Sequence, residues 1–324
     1  MSVTEFGSWW PNGAYSVVSL LGGAYLGWAL GANDAANAFG TAVGSRIISF
    51  RRAAVLCAIA LVAGAALQGQ GGIRTLSGLT EQTPTTLIIV SISAGITVTL
   101  MTLMGFPIST SQAMIGAITG IGLATRNLYL SGLAKVLICW VATPFGAMFF
   151  SWIIYFLLRF VFRHGRMSVL TRDKLLWGGL ILVGIYGSYA LGANNVANAT
   201  GIYSGLLEGV TDFHLTLIGG GAIALGVLTF SKRVMMSVGT KVMKLDAFNA
   251  FVAVASMAST THIFALIGVP VSTSQAVIGG IIGVGILQDL ANLKFGILKS
   301  FSAGWLLTPL ISLILAAAGY AIFM

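Results

Sequence analysis

Charge is the scarcest ingredient of this sequence. Only 8% of its 324 residues are Asp, Glu, Lys or Arg, whereas a soluble domain carries about a quarter. So few charges cannot cover a water-facing surface, and 57% of the chain is hydrophobic, so an integral membrane protein is expected. Ten-residue strands of alternating polarity are missing, which sets aside an outer-membrane barrel. The two cysteines, Cys57 and Cys139, both fall in apolar stretches. They suit plain packing and imply no disulfide framework. No Cys/His metal spacing, Walker loop, dinucleotide fingerprint or nucleophile elbow occurs, and the eleven methionines form no thioether cluster. The expectation is a protein that is not an enzyme and holds no cofactor; ATP-driven transport would need another subunit. The opening MSVTEFGSWWPNG lacks a basic region and a small-residue cleavage site, so no signal peptide is expected.

What is abundant is long apolar sequence. Ten stretches are long enough to be spans, half-spans or re-entrant arms, at about 13–44, 53–67, 85–104, 108–124, 133–160, 175–200, 214–230, 247–267, 271–287 and 296–323. The 42 glycines let helix backbones approach closely in a bilayer. Trp9 and Trp10 precede the first stretch, where interfacial aromatics belong. The fold class expected is an all-α integral membrane protein.

The net charge of +9 points to topology rather than to nucleic acid. With the central loop from Arg159 to Lys174 placed in the cytoplasm, 14 of the 17 basic residues fall on the cytoplasmic side. Arg74, Arg126 and Lys135 fall outside. This asymmetry predicts a multi-pass protein of the plasma (inner) membrane with both termini outside. A lipid-headgroup role for the central loop is a possible addition.

Three motifs occur twice, in one order. GANDAANA at Gly31–Ala38 returns as GANNVANA at Gly192–Ala199, an offset of 161. PISTSQA at Pro107–Ala113 returns as PVSTSQA at Pro270–Ala276, an offset of 163. Trp140, Thr143 and Pro144 return as Trp305, Thr308 and Pro309, an offset of 165. An internal duplication follows, with repeats at 1–165 and 166–324. Five apolar segments per half force the second copy to enter from the opposite side. Oppositely oriented repeats are a signature of secondary transporters, whose sites lie near the midplane. The expectation is therefore two inverted five-segment repeats. Each would carry a re-entrant hairpin, although two ordinary neighbouring spans would leave the topology unchanged.

The hairpin tips suit an anion. Pro107 is expected to open a helix, because its missing N–H costs nothing at a helix start. Free N–H donors then surround Ser109, Thr110, Ser111 and Gln112, and a helix N-terminus attracts anions. Inversion would bring Ser272, Thr273, Ser274 and Gln275 to the same point. The cage so formed contains no Arg or Lys, which suits a carrier that must release its cargo. The alternative for each tip alone is a capped helix start.

Asp34 is the only acidic residue well inside an apolar stretch. A carboxylate there costs at least ~2.5 kcal/mol and needs a partner. No basic residue lies deep enough to supply one, so a cation from solution is expected. Asn33, Asn37, Asn194, Asn195 and Asn198 offer carbonyl oxygens, and the Gly-Ala-Asn sequence is expected to break the helix and expose more. Oxygen ligands suit Na⁺, making Asp34 the metal ligand if sodium is the coupling ion. Protonation of Asp34 would make H⁺ the coupling ion instead. Small-residue packing around a protonated Asp34 is the alternative without transport. His262, inside an apolar stretch, fits a packing histidine better than a proton relay.

Together, GANDAANAFGTAVGS, GANNVANATG and the paired P-[IV]-STSQA tips resemble the inorganic phosphate transporter family (PiT), which includes phosphate permeases and sulfate permeases. The likeness covers both halves. It implies inverted repeats, a homodimer and import of phosphate with Na⁺ or H⁺. Asp34 and the motif asparagines would serve the cation, and the two tips the anion. The family usually carries aspartate where this chain has Asn195. Its phosphate carriers tend to carry glutamate at the positions of Leu61 and Val254. Sulfate brings no proton and needs no carboxylate acceptor, so these changes keep sulfate open as the alternative cargo. A passive anion channel is the reading from another class.

Overall fold

A computed structural model describes residues 14–104, 108–165, 167–237, 246–288 and 295–324. The first half contains α1 (Ala14–Gly44), α2 (Phe50–Gln68), α3 (Gln70–Ser77), α4 (Pro84–Leu103), α5 (Thr110–Thr125) and α6 (Leu130–His164). The second contains α7 (Val169–Thr200), a 3₁₀ turn (Gly201–Tyr203), α8 (Asp212–Phe230), α9 (Lys232–Ser237), α10 (Ala247–Ile267), α11 (Thr273–Gln288) and α12 (Phe295–Phe323). Each of the ten apolar stretches becomes one helix, and among the described residues there is no strand. Seven of the described helices are long and apolar enough to cross a membrane. The protein is thus an all-α, multi-pass membrane protein. Helices α5 and α11 have 16 residues each, which makes them about 24 Å long, less than the ~30 Å of a hydrocarbon core.

Local chemistry sets the helix limits. Thr83 and Thr86 form a reciprocal capping box at the start of α4, with Pro84 at the first helical position. Asp246 caps α10 by accepting the Asn249 N–H at 2.7 Å. Gly268, at φ +79°, ends α10 in the left-handed region where a side chain would be strained.

Two expectations are corrected here. The Gly-Ala-Asn sequences do not break their helices, since α1 and α7 run through them without interruption. Their glycines provide close contact instead. A Cβ at Gly31 would collide with the Ile223 carbonyl oxygen, and one at Gly192 with the Leu61 carbonyl oxygen. The tip helices also start later than expected, at Thr110 and Thr273, with Pro270 outside its helix. Pro107 lies outside the described residues. A serine hydroxyl caps each of these starts, which a proline cannot do.

The packing is reciprocal between halves. Helix α1 lies on α8 and α2 on α7, while α5 lies on α12 and α11 on α6. The contact points correspond under the repeat. Gly64 meets the Tyr189 backbone as Gly226 meets that of Trp28, and Gly116 meets Pro309 as Gly279 meets Pro144. Next to those prolines, Thr143 and Thr308 bond back to the Cys139 and Gly304 carbonyls, both at 2.6 Å. The exterior of α6 and α12 is apolar, with Val141, Phe145, Phe149, Leu306 and Leu310 exposed. Such a surface suits hydrocarbon, while the buried interior holds the polar residues described next.

Candidate ion-binding site

The two Ser-Thr-Ser-Gln segments meet in the interior. Ser111 donates to the Val271 carbonyl at 3.1 Å, and Ser274 donates to the Ile108 carbonyl at 2.8 Å. These bonds are counterparts under the repeat, each tying one tip to the backbone of the other. Ser109 accepts the Gln112 N–H at 3.3 Å and Ser272 accepts the Gln275 N–H at 3.2 Å, so both act as N-caps. Ser272 and Ser274 also share a hydrogen bond of 2.9 Å. The first turns of α5 and α11 keep N–H groups that no intrahelical carbonyl can satisfy, at the positive ends of two helix dipoles.

Asp34 sits against this junction and is 2% exposed. Its Oδ2 accepts from the Thr110 hydroxyl and from the Asn195 amide, both at 2.9 Å. Its Oδ1 is buried with no partner. Among the described residues no Lys, Arg or His lies within ion-pair distance of it; the ion pair present there is Arg74–Asp212, at 3.6 Å. Asn37 donates to Thr273 at 3.2 Å, and Asn198 donates to Ser111 at 2.9 Å. Asn194 clamps the second tip, donating to the Val271 carbonyl at 2.7 Å and accepting the Val271 N–H at 3.0 Å. Its amide also donates to Asn195 Oδ1.

Thirteen of the fourteen residues expected at the site are buried. Asn33 stands apart: it is half-buried and donates to Thr102 at 3.2 Å. Among these site residues, four buried side-chain oxygens make no hydrogen bond, namely Asp34 Oδ1, Asn198 Oδ1, Gln112 Oε1 and Gln275 Oε1. Oxygen donors that include a carboxyl group are the type that suits a small hard cation. The adjacent helix starts suit an oxyanion.

Sequence reasoning missed the carbonyls of Ile108 and Val271, because every residue has a carbonyl and no side-chain pattern marks the ones used. It also missed a polar bridge away from the tips. The Tyr186 hydroxyl meets His262 Nδ1 at 2.9 Å, and His262 Nε2 meets Gln68 Oε1 at 2.6 Å. In the first half the counterpart is Tyr25, whose hydroxyl meets Thr99 at 2.6 Å and donates to the Gly95 carbonyl at 3.4 Å.

The sequence profile of the phosphate transporter family matches residues 30–178 and 171–316, taking in both polar inserts and both tips. The chain belongs to this family. Sulfate permease CysP of Bacillus subtilis is 31% identical over 313 residues, covering 91% of this chain and 87% of CysP. A Methanocaldococcus jannaschii protein with a provisional phosphate permease name is 29% identical over 291 residues, covering 90% of this chain and 92% of its own. A solved structure described as the sodium-dependent phosphate transporter superposes with a TM-score of 0.82 at 24% identity. The match covers 95% of this chain and 98% of that one, so the two share a fold.

Proposed function

We propose that this member of the phosphate transporter family is a secondary active symporter. It imports inorganic phosphate together with Na⁺ or H⁺ across the plasma membrane, with both termini outside. The observation that carries the reading is the reciprocal pair of tip bonds, Ser111 to Val271 and Ser274 to Ile108, formed beside Asp34 with its unpartnered oxygen. Helix starts at the two tips hold the anion. Asp34 Oδ1, with the open oxygen of Asn198 from the other polar insert, holds the cation, while Gln112 and Gln275 serve the anion. Each ion then lowers the cost of burying the other.

The reciprocal glycine contacts support two inverted repeats, 1–165 and 166–324, related by a two-fold operation. The short α5 and α11, with tips meeting in the interior, support re-entrant hairpins. Alternating access is then an exchange of conformations between the repeats. The exposed apolar faces of α6 and α12 are compatible with a homodimer in the bilayer.

Sulfate is the second reading, and one observation favours it. Leu61 and Val254 are buried in the same apolar cluster, so neither position offers a carboxylate to accept a proton from hydrogen phosphate. A relative named as a sulfate permease points the same way. The test is uptake of labelled phosphate and labelled sulfate into proteoliposomes under a sodium gradient or a pH gradient. Phosphate accumulation driven by either gradient is expected. Accumulation of sulfate alone would reassign the cargo, and simple equilibration without accumulation would replace the symporter with a channel.

A further inference from the structure

Asp34 and Asn195 are equivalent positions of the two polar inserts, and they touch. Their hydrogen bond of 2.9 Å joins the two halves where those halves meet. Carboxylates at both positions would place two like charges in contact, and burial would then demand a positive partner for each. Here the Asn195 N–H supplies the positive end for one Asp34 oxygen. The Asn195 carbonyl oxygen already accepts from the Asn194 amide, which occupies one of its two lone pairs. Asp34 Oδ1 remains open in the buried interior.

We infer that the Asn195 amide stands in for one coupling cation, so that each transported anion moves with one cation fewer than it would if both positions were carboxylates. The inference rests on the cation-coupled reading above. It assigns Asn195 a role different from that of a ligand, as the residue that sets the coupling ratio. Asn198, on the same insert as Asn195, keeps an open oxygen for the cation.

The measurement is the plateau of labelled anion in proteoliposomes of the full chain. Membrane potential is clamped to zero with valinomycin and equal potassium. A tenfold inward gradient of Na⁺ is applied in one arm and of H⁺ in another. The plateau scales as the cation gradient raised to the number of cations coupled, so one extra cation multiplies it about tenfold. Asn195→Asp is expected to raise the plateau about tenfold over wild type in the arm of the coupling ion. A gradient-driven plateau equal to wild type overturns the inference and leaves symport intact. A wild-type plateau indifferent to both gradients overturns symport and the inference with it.

The wild-type plateau gives a second measurement that does not depend on how the variant folds. One buried carboxylate calls for one cation, so a tenfold gradient is expected to concentrate the anion about tenfold. A hundredfold concentration, which takes two coupled cations, overturns the inference.

Discussion

The first and second copies of the polar insert share a helical backbone and a glycine contact, yet they bear different chemistry. In the first, Asp34 brings a carboxyl group and keeps one oxygen open. In the second, the side chains of Asn194 and Asn195 turn inward on the protein, clamping Val271 and Asp34. The two copies thus share a frame and differ in chemistry: one carries the carboxyl group, and the asparagines of the other tie down the tip and Asp34. The tyrosine bridges show the same divergence. Tyr25 reaches a hydroxyl in the first half, whereas Tyr186 reaches an imidazole tied onward to Gln68 in the second.

Substitutions can break this comparison at graded cost. The largest effect is expected from Asp34→Asn, which removes the buried charge. Gradient-driven uptake should fall about a hundredfold, the equivalent of ~2.7 kcal/mol of lost charged contact. Normal accumulation by that variant would remove Asp34 from the mechanism. Next come the shared contacts of the frame. Gly31→Ala and Gly192→Ala each drive a methyl into a facing carbonyl, and each should cost about 1–3 kcal/mol. Thermal melting in detergent should lower both by similar amounts, and an effect in one copy alone would contradict the reciprocal packing.

Third, Ser111→Ala with Ser274→Ala removes both tip-to-tip bonds. Anion affinity by titration should weaken about tenfold, or ~1.4 kcal/mol. Unchanged affinity would show that the tips need no tie. The smallest effect is expected at the bridges, where Tyr186→Phe should lower stability by about 1 kcal/mol and Tyr25→Phe by less. The order follows from the imidazole nitrogen that only the first of these changes leaves without its partner. A reversed order by melting would show that the His262 bridge carries no more than its counterpart.

The helices were legible because their cause is compositional. A run such as 247–267 has no route to solvation except a helix in lipid or a packed core. The reciprocal packing was foreshadowed by three motifs that recur in one order. The joining of Ser111 and Ser274 to the opposite tip also followed in outline, since inversion predicts convergence. The partners did not follow. Tip geometry is set by the carbonyls of Ile108 and Val271, and a carbonyl leaves no mark in a sequence. The Gly-Ala-Asn break was misjudged because glycine permits two things, an irregular backbone and close approach. Ile223 and Leu61, distant in sequence, decided for the second. Helices α3 and α9 were hidden because eight and six residues are too few to show a period.

The crossing of α1 onto α8 and of α2 onto α7 bears on how the protein is made. When the ribosome has released only residues up to about 165, the grooves at Gly31 and Gly64 face helices that have not yet been synthesised. At that stage the notches are empty, and of the two partners of Asp34 Oδ2 only Thr110 has been made. Completion of the site thus comes late, when α7 brings the Asn195 amide to Asp34 and α8 fills the notch at Gly31.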